Sequence, residues 1–215
     1  MRGSSAAIPS QQEMLAALEM RQGAEAVRKL QAATVAVCGL GGLGSNIAIS
    51  LARAGVGKLV LVDFDCVDVT NLHRQQYKAS QVGLPKPEAL LANLKEIAPY
   101  AEFETHFEKI SAENVDRIVG GAQVVCEAFD NAEAKAMLVN AVLETMPDKF
   151  LVAASGMAGF DGGNAIRTRR ITDKFFLCGD GVSDVDGGIG LVAPRVMLCA
   201  AHQALTVVRL ILGLE

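Results

Sequence analysis

The chain has 215 residues, 51% of them apolar and 5% aromatic, with 20 basic against 24 acidic residues and a formal charge of −4. That length fits one domain with a real core, and the mild acidity excludes a general electrostatic grip on nucleic acid or anionic lipid. Five scattered Cys without a C-x-x-C pair read as reduced thiols and leave no four-thiolate zinc knuckle in this chain.

Met1–Ser10 is a short polar start without an apolar leader, so the expectation is a cytoplasmic protein. Gln11–Gln31, rich in Ala, Leu, Glu, Gln and Arg, predicts helix with a break at Gly23, and residues 1–32 form an N-terminal helical arm. Residues 33–215 form the main domain. Thr34–Cys38 is a short apolar strand ending in glycines; Ser45–Ala54 is helix and Lys58–Val62 a second buried strand. Pro87–Ile97 is helix with Pro at its first position. Ala101–Phe107 alternates Phe103, Thr105 and Phe107 with Glu102, Glu104 and His106, predicting an edge strand with one wet face. Ser111–Val119 is a short helix with a Ser cap, Gln123–Ala128 strand, Ala132–Thr145 helix and Phe150–Ala154 strand. Gly163–Ile171, basic at 167, 169 and 170, predicts an exposed antiparallel strand. Cys178–Gly190 is a loop rich in Gly and Asp, and Pro194–Gly213 a final helix apolar nearly all round. Such a helix is buried on all sides, either through the core or at a subunit interface. Leu191–Leu214 is interrupted by Arg195, His202, Gln203 and Arg209, short of the ~18 uncharged residues a membrane span needs. Apolar strands alternating with helices predict an α/β fold: a Rossmann-like, mainly parallel sheet with helices on both faces and an antiparallel strand near the C-terminal part.

The chemistry concentrates at strand ends. Gly39-Leu-Gly41-Gly42-Leu-Gly44 is a G-x-G-x-x-G between a strand and a helix, where glycines let the backbone approach a phosphate and helix N–H groups point at it. Asp63 closes the second strand and suits a ribose hydroxyl pair, whereas Asp65 and Asp68 read as solvated turn residues. NAD satisfies these features, but Arg74 and Lys86 add two cations, a larger investment than two phosphates need. A triphosphate carries about twice that charge, with Arg74 as a bidentate fork and Lys86 as a point charge. Asp130 ends the fourth strand at the edge where such sheets bind ligands. It either holds Mg²⁺ against phosphate oxygens or caps the helix from Ala132, and both roles are compatible. The loop Asp180–Gly188 lacks acids where a calcium loop requires them. Cys178 has no neighbouring His in sequence and reads as an inert thiol; His73 packs, while His106 reads as surface and His202 as core.

Gly39–Gly44, Asp63-Phe-Asp65, Asn71-Leu-His-Arg74-Gln75, Pro85-Lys86 and Asp130-Asn131 together resemble the ThiF/MoeB family, the bacterial relatives of ubiquitin-activating enzymes, over about residues 33–213. The short length, Pro194-Arg195 and His202-Gln203 are most similar to short ThiF-like proteins. The resemblance implies a ThiF-type ATP-binding adenylation domain that adenylates the C-terminal Gly-Gly carboxylate of a small ubiquitin-like sulfur carrier of ThiS type. Pyrophosphate is released, and thiamine (thiazole) biosynthesis is the implied setting. It further implies ATP and Mg²⁺ as cofactors and a homodimer, without nucleic-acid or membrane partners. Carried over by position, Gly39, Gly41, Gly42 and Gly44 form the nucleotide loop and Asp63 holds the ribose. Asn71, Arg74, Gln75 and Lys86 hold the phosphates, with Asn131 beside them, and Asp130 holds Mg²⁺. Arg74, Lys86 and Asp130 are the catalytic set. The loop at Cys178–Gly190 corresponds to the family's crossover loop, under which the carrier tail threads. The paired C-x-x-C zinc motifs of many relatives are absent, so no zinc is expected. Arg21 is the candidate for an arm contact with the partner's ATP. The alternatives are a molybdopterin-type carrier, a tRNA-modifying relative, an NAD-dependent oxidoreductase and a non-catalytic carrier-binding scaffold.

Overall fold

The structure, a computed structural model, describes residues 7–184 and 190–215. Among the described residues, seven strands form one sheet: β1 (Thr34–Cys38), β2 (Lys58–Asp63), β3 (Glu102–Phe107), β4 (Val124–Glu127), β5 (Phe150–Ala154), β6 (Arg167–Arg170) and β7 (Phe175–Gly179). Their order is β3-β2-β1-β4-β5-β7-β6, parallel throughout except for the β6–β7 pair. The chain runs outward from β1 to β3 and then returns to the other side of β1, so a crevice opens between the carboxyl ends of β1 and β4. Ligands of open α/β sheets bind at such a reversal.

Helices cover both faces, and the expected Rossmann-like architecture is the one observed. On one face α3 (Gly42–Ala54), α4 (Lys86–Ile97) and α7 (Ala193–Leu212) bury Leu43, Ile47, Leu51, Leu90, Leu94 and Val207 against Val35, Val37, Leu59 and Leu61. On the other, α5 (Val115–Val119) and α6 (Ala132–Thr145) pack Ile118, Leu138 and Val142 onto Ala36, Val60, Val62 and Val125. The arm is two helices, α1 (Gln11–Gln22) and α2 (Ala24–Gln31), broken at Gly23, whose φ of +85° strains any L side chain. Ser10 and Glu13 form a reciprocal capping box that fixes the start of α1. Val27 and Leu30 of α2 are buried, whereas α1 has no buried residue. Leu18 of α1 lies against Gly55, which precedes β2, so the arm sits at the amino edge of the sheet, away from the crevice.

Four local expectations need correction. β7 was not anticipated, and the predicted loop from Cys178 begins inside it; Phe175–Cys178 is too short an apolar run to carry a period. Residues 185–189 of that loop lie outside the described residues. The fifth helix starts at Val115 rather than Ser111, and Asn114 stands at its N-cap. β3 is an edge strand, but its faces do not divide as the alternation predicts. Phe107 is 52% exposed, while Glu102 and Glu104 both reach Lys58 on the neighbouring strand at 2.9 Å. Finally, α7 is not a plain core helix: within this chain one side is buried and the other exposed, which the interface alternative permits. By length and composition it could cross a membrane, yet half of its apolar window is buried in this fold, with Arg195 and Gln203 among the buried residues. Its other side exposes Met197 and Leu205, the latter at 60%.

This asymmetry predicts unequal costs of truncation. Leu61→Ala, in a fully buried central strand, is expected to lose about 2–5 kcal/mol in urea denaturation. Leu205→Ala is expected to stay within about 0.5 kcal/mol in the monomer.

Candidate functional site

The crevice is lined first by the glycine turn between β1 and α3. Gly39 has φ +89°, and a Cβ there would lie 2.8 Å from the Ala128 carbonyl oxygen. A Cβ on Gly44 would lie 1.8 Å from the Gly39 carbonyl oxygen, so only glycine lets the helix start press onto the strand end. Gly41 and Gly42 face the opposite wall: Gln75 Nε2 stands 3.7 Å from a Cβ on Gly41, and the Arg74 stem 3.6 Å from one on Gly42. The four glycines therefore bring Arg74 and Gln75 directly over the helix N-terminus. Asn46 ties the two walls together, donating to the carbonyls of Gly42 (2.6 Å) and Arg74 (3.2 Å) and accepting from Gln76 Nε2 at 2.7 Å.

The second wall is the segment after β2. Asp63 is buried, its Oδ2 accepting the Leu40 N–H at 2.6 Å and its Oδ1 the Asp65 N–H at 2.9 Å. It thus fixes the glycine turn while keeping lone pairs for a further donor. Asp68 accepts from Thr70 N–H and Asn71 Oδ1 from Asp68 N–H, closing a 3₁₀ turn at Val69–Asn71. Asn71 thus shapes the turn that delivers Arg74. Arg74 Nη1 donates to the Thr70 carbonyl at 3.1 Å, but its Nε is buried without a partner among the described residues, as is Gln75 Oε1. Buried polar atoms left unpaired cost about 1–3 kcal/mol each; Arg195 Nε and Gln203 Oε1 are two further cases among the described residues, and the Arg74 and Gln75 atoms are the two on residues that stand over the glycine turn.

Lys86 opens α4 and is buried, with Nζ 2.8 Å from Asp65 Oδ2 and 3.9 Å from Asp63 Oδ2. Asp65 is therefore a partner of the lysine rather than merely a solvated turn residue, and the Asp-x-Asp doublet closing the strand was the available signal. Burial raises the Asp63 carboxyl above its usual range, against the pull of Lys86 and of the Leu40 and Asp65 N–H groups.

On the β4 side, Asp130 is exposed and makes no hydrogen bond or ion pair among the described residues. The helix cap goes instead to Asn131, whose Oδ1 accepts the Ala134 N–H at 2.9 Å. Asn131 thus has a structural task, and Asp130 is left facing solvent at the strand edge. Beneath them lies a pair not foreseen from sequence: Glu127, fully buried, accepts from Phe129 N–H (2.7 Å) and from Lys135 Nζ (2.5 Å). No group of three His, Cys, Asp or Glu able to cage a metal occurs among the described residues. A divalent ion here would rest on Asp130 and on oxygens of its own ligand, the coordination Mg²⁺ favours with phosphates. Cys178 is buried in β7, and burial raises its thiol above the ordinary range, so it offers no thiolate at neutral pH. His202 Nδ1 lies 3.1 Å from Thr168 Oγ1, and His106 is largely buried beside Glu104 at 2.8 Å, contrary to its surface reading.

The sequence pattern of the ThiF family matches residues 13–215. The chain belongs to the ThiF family. The match takes in α1 from Glu13 and runs to the end of the chain. Among relatives, the adenylyltransferase and sulfurtransferase MOCS3 of Anopheles gambiae is 37% identical over 120 residues, 55% of this chain and 27% of that protein. Ubiquitin-like modifier-activating enzyme 5 of Caenorhabditis elegans is 37% identical over 123 residues, 52% of this chain and 29% of that protein. The chain thus spans less than a third of the length of these two relatives. In fold it superimposes on E. coli tRNA N6-threonylcarbamoyladenosine dehydratase, TcdA, solved in complex with ATP. The TM-score is 0.85 at 21% identity, covering 96% of this chain and 98% of that one.

The buried Asp63–Lys86–Asp65 group yields a pH prediction. A carboxyl whose folded pKa lies above its unfolded value binds more protons in the folded chain, so stability falls as pH rises through that window. Lys86→Ala removes the charge that holds Asp63 down and widens the window. Melting of Lys86→Ala is expected to fall more steeply than wild type as pH rises above the ordinary carboxylate range, read by circular dichroism.

Proposed function

We propose that this ThiF-family chain binds Mg-ATP in the crevice between β1 and β4 and adenylates the C-terminal carboxylate of a small ubiquitin-fold sulfur carrier ending in Gly-Gly. The observation that carries the reading is the pair of buried atoms without a partner among the described residues, Arg74 Nε and Gln75 Oε1, over the glycine turn, with Lys86 in the adjoining wall. Arg74 and Lys86 take the β- and γ-phosphates, the glycine turn takes the α-phosphate at the start of α3, and Asp63 takes the ribose. Asn71, Gln75 and Asn131 line the same nucleotide site. Mg²⁺ at Asp130, when bound, neutralises phosphate charge and steadies the leaving group.

The chemistry asks little of the protein beyond this. A carboxylate oxygen of the carrier forms a bond to the α-phosphorus, the bond from that phosphorus to the bridging oxygen breaks, and pyrophosphate leaves with the electron pair. The nucleophile is already ionised at neutral pH, so no general base is required. Catalysis reduces to alignment and to neutralising charge, which Arg74, Lys86 and Asp130 supply. A ThiS-like carrier in thiamine (thiazole) biosynthesis is the specific partner proposed, with a cytoplasmic homodimer joined at the exposed stripe of α7. That stripe holds Met197 and Leu205.

A second reading is adenylation of a modified-tRNA carbonyl. It draws on the likeness to TcdA and on the exposed edge strand β6, where Arg167 and Arg169 share the face of Leu177.

ATP–pyrophosphate exchange with radiolabelled pyrophosphate tests both. Wild type is expected to exchange in the presence of a Gly-Gly-ended carrier and to fall silent when the terminal glycine is removed. Asp130→Ala and Lys86→Ala are each expected to lose about 10²–10³-fold in rate, the scale of a charge-stabilising group. Full exchange in either variant overturns its role, and exchange driven by tRNA alone favours the second reading.

A further inference from the structure

Beneath the turn that carries Asp130 lies a closed polar bracket. Glu127 ends β4 with its side chain fully buried. Its Oε1 accepts the Phe129 N–H at 2.7 Å, and its Oε2 accepts Lys135 Nζ at 2.5 Å. Lys135, on α6, also donates to the Ala154 carbonyl of β5 at 3.0 Å. From the other face of the sheet, Gln203 of α7 donates to the carbonyls of Glu127 at 3.0 Å and Val152 at 3.2 Å. The last register pair of β4 and β5 is Cys126 with Val152. Each of the two helices therefore supplies one side chain that ties these strands together where their own ladder ends.

The bracket bears on one residue. Before Asp130 the chain is fixed. Ala128 N–H donates to the Cys38 carbonyl at 2.9 Å, and Phe129 is folded back onto Glu127, with its ring 3.0 Å from where a Cβ on Gly39 would stand. After Asp130 the chain is fixed again. Asn131 caps α6 through the Ala134 N–H, and Lys135 N–H donates to the Asn131 carbonyl at 3.0 Å. Asp130 lies between these anchors, and its own side chain makes no hydrogen bond or ion pair among the described residues. The place of its carboxylate is thus set by how the anchors stand to each other, and the Glu127–Lys135 contact joins them. A buried ion pair contributes little net stability compared with an apolar pair of the same size, and a cation early in α6 opposes the helix dipole. What the pair contributes is fixed geometry.

We infer that Glu127 and Lys135 are positioning residues for Asp130. Their bond closes the span from 127 to 135 and holds the Asp130 carboxylate in one place for a divalent ion carried by the nucleotide. The inference rests on the proposed Mg-ATP reading of the crevice. Neither residue touches nucleotide or metal. Groups that orient a metal ligand change metal affinity by about 10–100-fold when they are removed. Loss of the pair therefore weakens the part of ATP binding that depends on Mg²⁺ and spares the part that does not.

The test measures the ATP Kd of each variant twice by titration calorimetry, in EDTA and in saturating Mg²⁺, with thermal melting to check folding. The ratio of the first Kd to the second isolates the share of the metal. In Lys135→Met, and in the double variant Glu127→Gln with Lys135→Met, the ratio is expected to fall about tenfold while the Kd in EDTA stays within about twofold of wild type. Lys135→Arg, which keeps the charge and the reach, is expected to hold the ratio within about threefold. Charge alone gives Lys135→Met the opposite sign, because removing a cation strengthens the binding of another cation nearby. Where Lys135→Met fails to fold, the uncharged double variant carries the comparison. An unchanged or raised ratio in either variant, or a Kd in EDTA that rises in step, overturns the inference. Asp130→Ala separates that failure from failure of the reading beneath it. A ratio lost in Asp130→Ala but kept in Lys135→Met overturns the inference alone, and a wild-type ratio in Asp130→Ala overturns both.

Discussion

Everything at the carboxyl edge of the sheet depends on how closely α3 approaches β1. The start of that helix stands over the end of the strand with no room for a Cβ on Gly44, which would meet the Gly39 carbonyl at 1.8 Å. This contact aims the free N–H groups of α3 across the crevice rather than along the sheet. It also sets the height at which the opposite wall must stand, and Asn46 enforces that height by bonding both Gly42 and Arg74. Asp63 locks the arrangement from below through the Leu40 N–H, and Tyr77 does so from the side by donating to the Leu40 carbonyl at 2.7 Å. The loop after β2 is in turn held by Gln81 and Asn93, two buried amides that bond each other and the backbone of Gln76 and Ala89. A chain of short polar contacts thus runs from the glycine turn to α4 and ends at Lys86.

Much of this architecture was legible in sequence because parallel strands and glycine turns leave strong local marks. β1, α6 and β5 fall at the expected residues, since continuous Val, Ala and Leu runs bounded by polar turns have one reading. β7 escaped because Phe175–Cys178 is four residues long and its neighbours on either side are turns. Its identity comes from pairing with Leu151–Ala154, which no local pattern encodes. The faces of β3 were misassigned for a related reason: at a sheet edge, Lys58 of β2 pairs with the solvent-exposed Glu102 and Glu104, and neither face of the strand is fully covered. At the site, the glycines, Asp63, Arg74, Lys86 and Asp130 were visible as residue types at strand ends. Their partners were not. Asp65, Lys135 and Arg195 gain their significance only when the fold brings each to an oppositely charged partner outside its own turn of chain.

Those partners share a pattern that bears on what the edge is for. Three strand ends carry a buried or partly buried carboxylate, and each is met by a cation from the first turn or so of a helix. Asp63 and Asp65 meet Lys86 of α4, Glu127 meets Lys135 of α6, and Asp180 meets Arg195 of α7. A cation at a helix N-terminus works against the helix dipole, so none of the three is placed there for the benefit of its helix. Together they offset most of the carboxylate charge gathered at this edge. They are not equally free, however. Lys135 also donates to the Ala154 carbonyl, and Arg195 to those of Asp161 and Gly162, so both are committed to backbone that they hold in place. Among the described residues, Lys86 Nζ meets only carboxylates, and the nearer of them, Asp65, is 52% exposed on its side chain. Asp65 can turn to water at little cost when a stronger anion arrives, whereas a carbonyl in a sheet cannot. Lys86 is therefore the one cation of the three that can exchange its partner for a phosphate without loosening the fold, which separates the proposed phosphate ligand from the two cations that hold backbone in place.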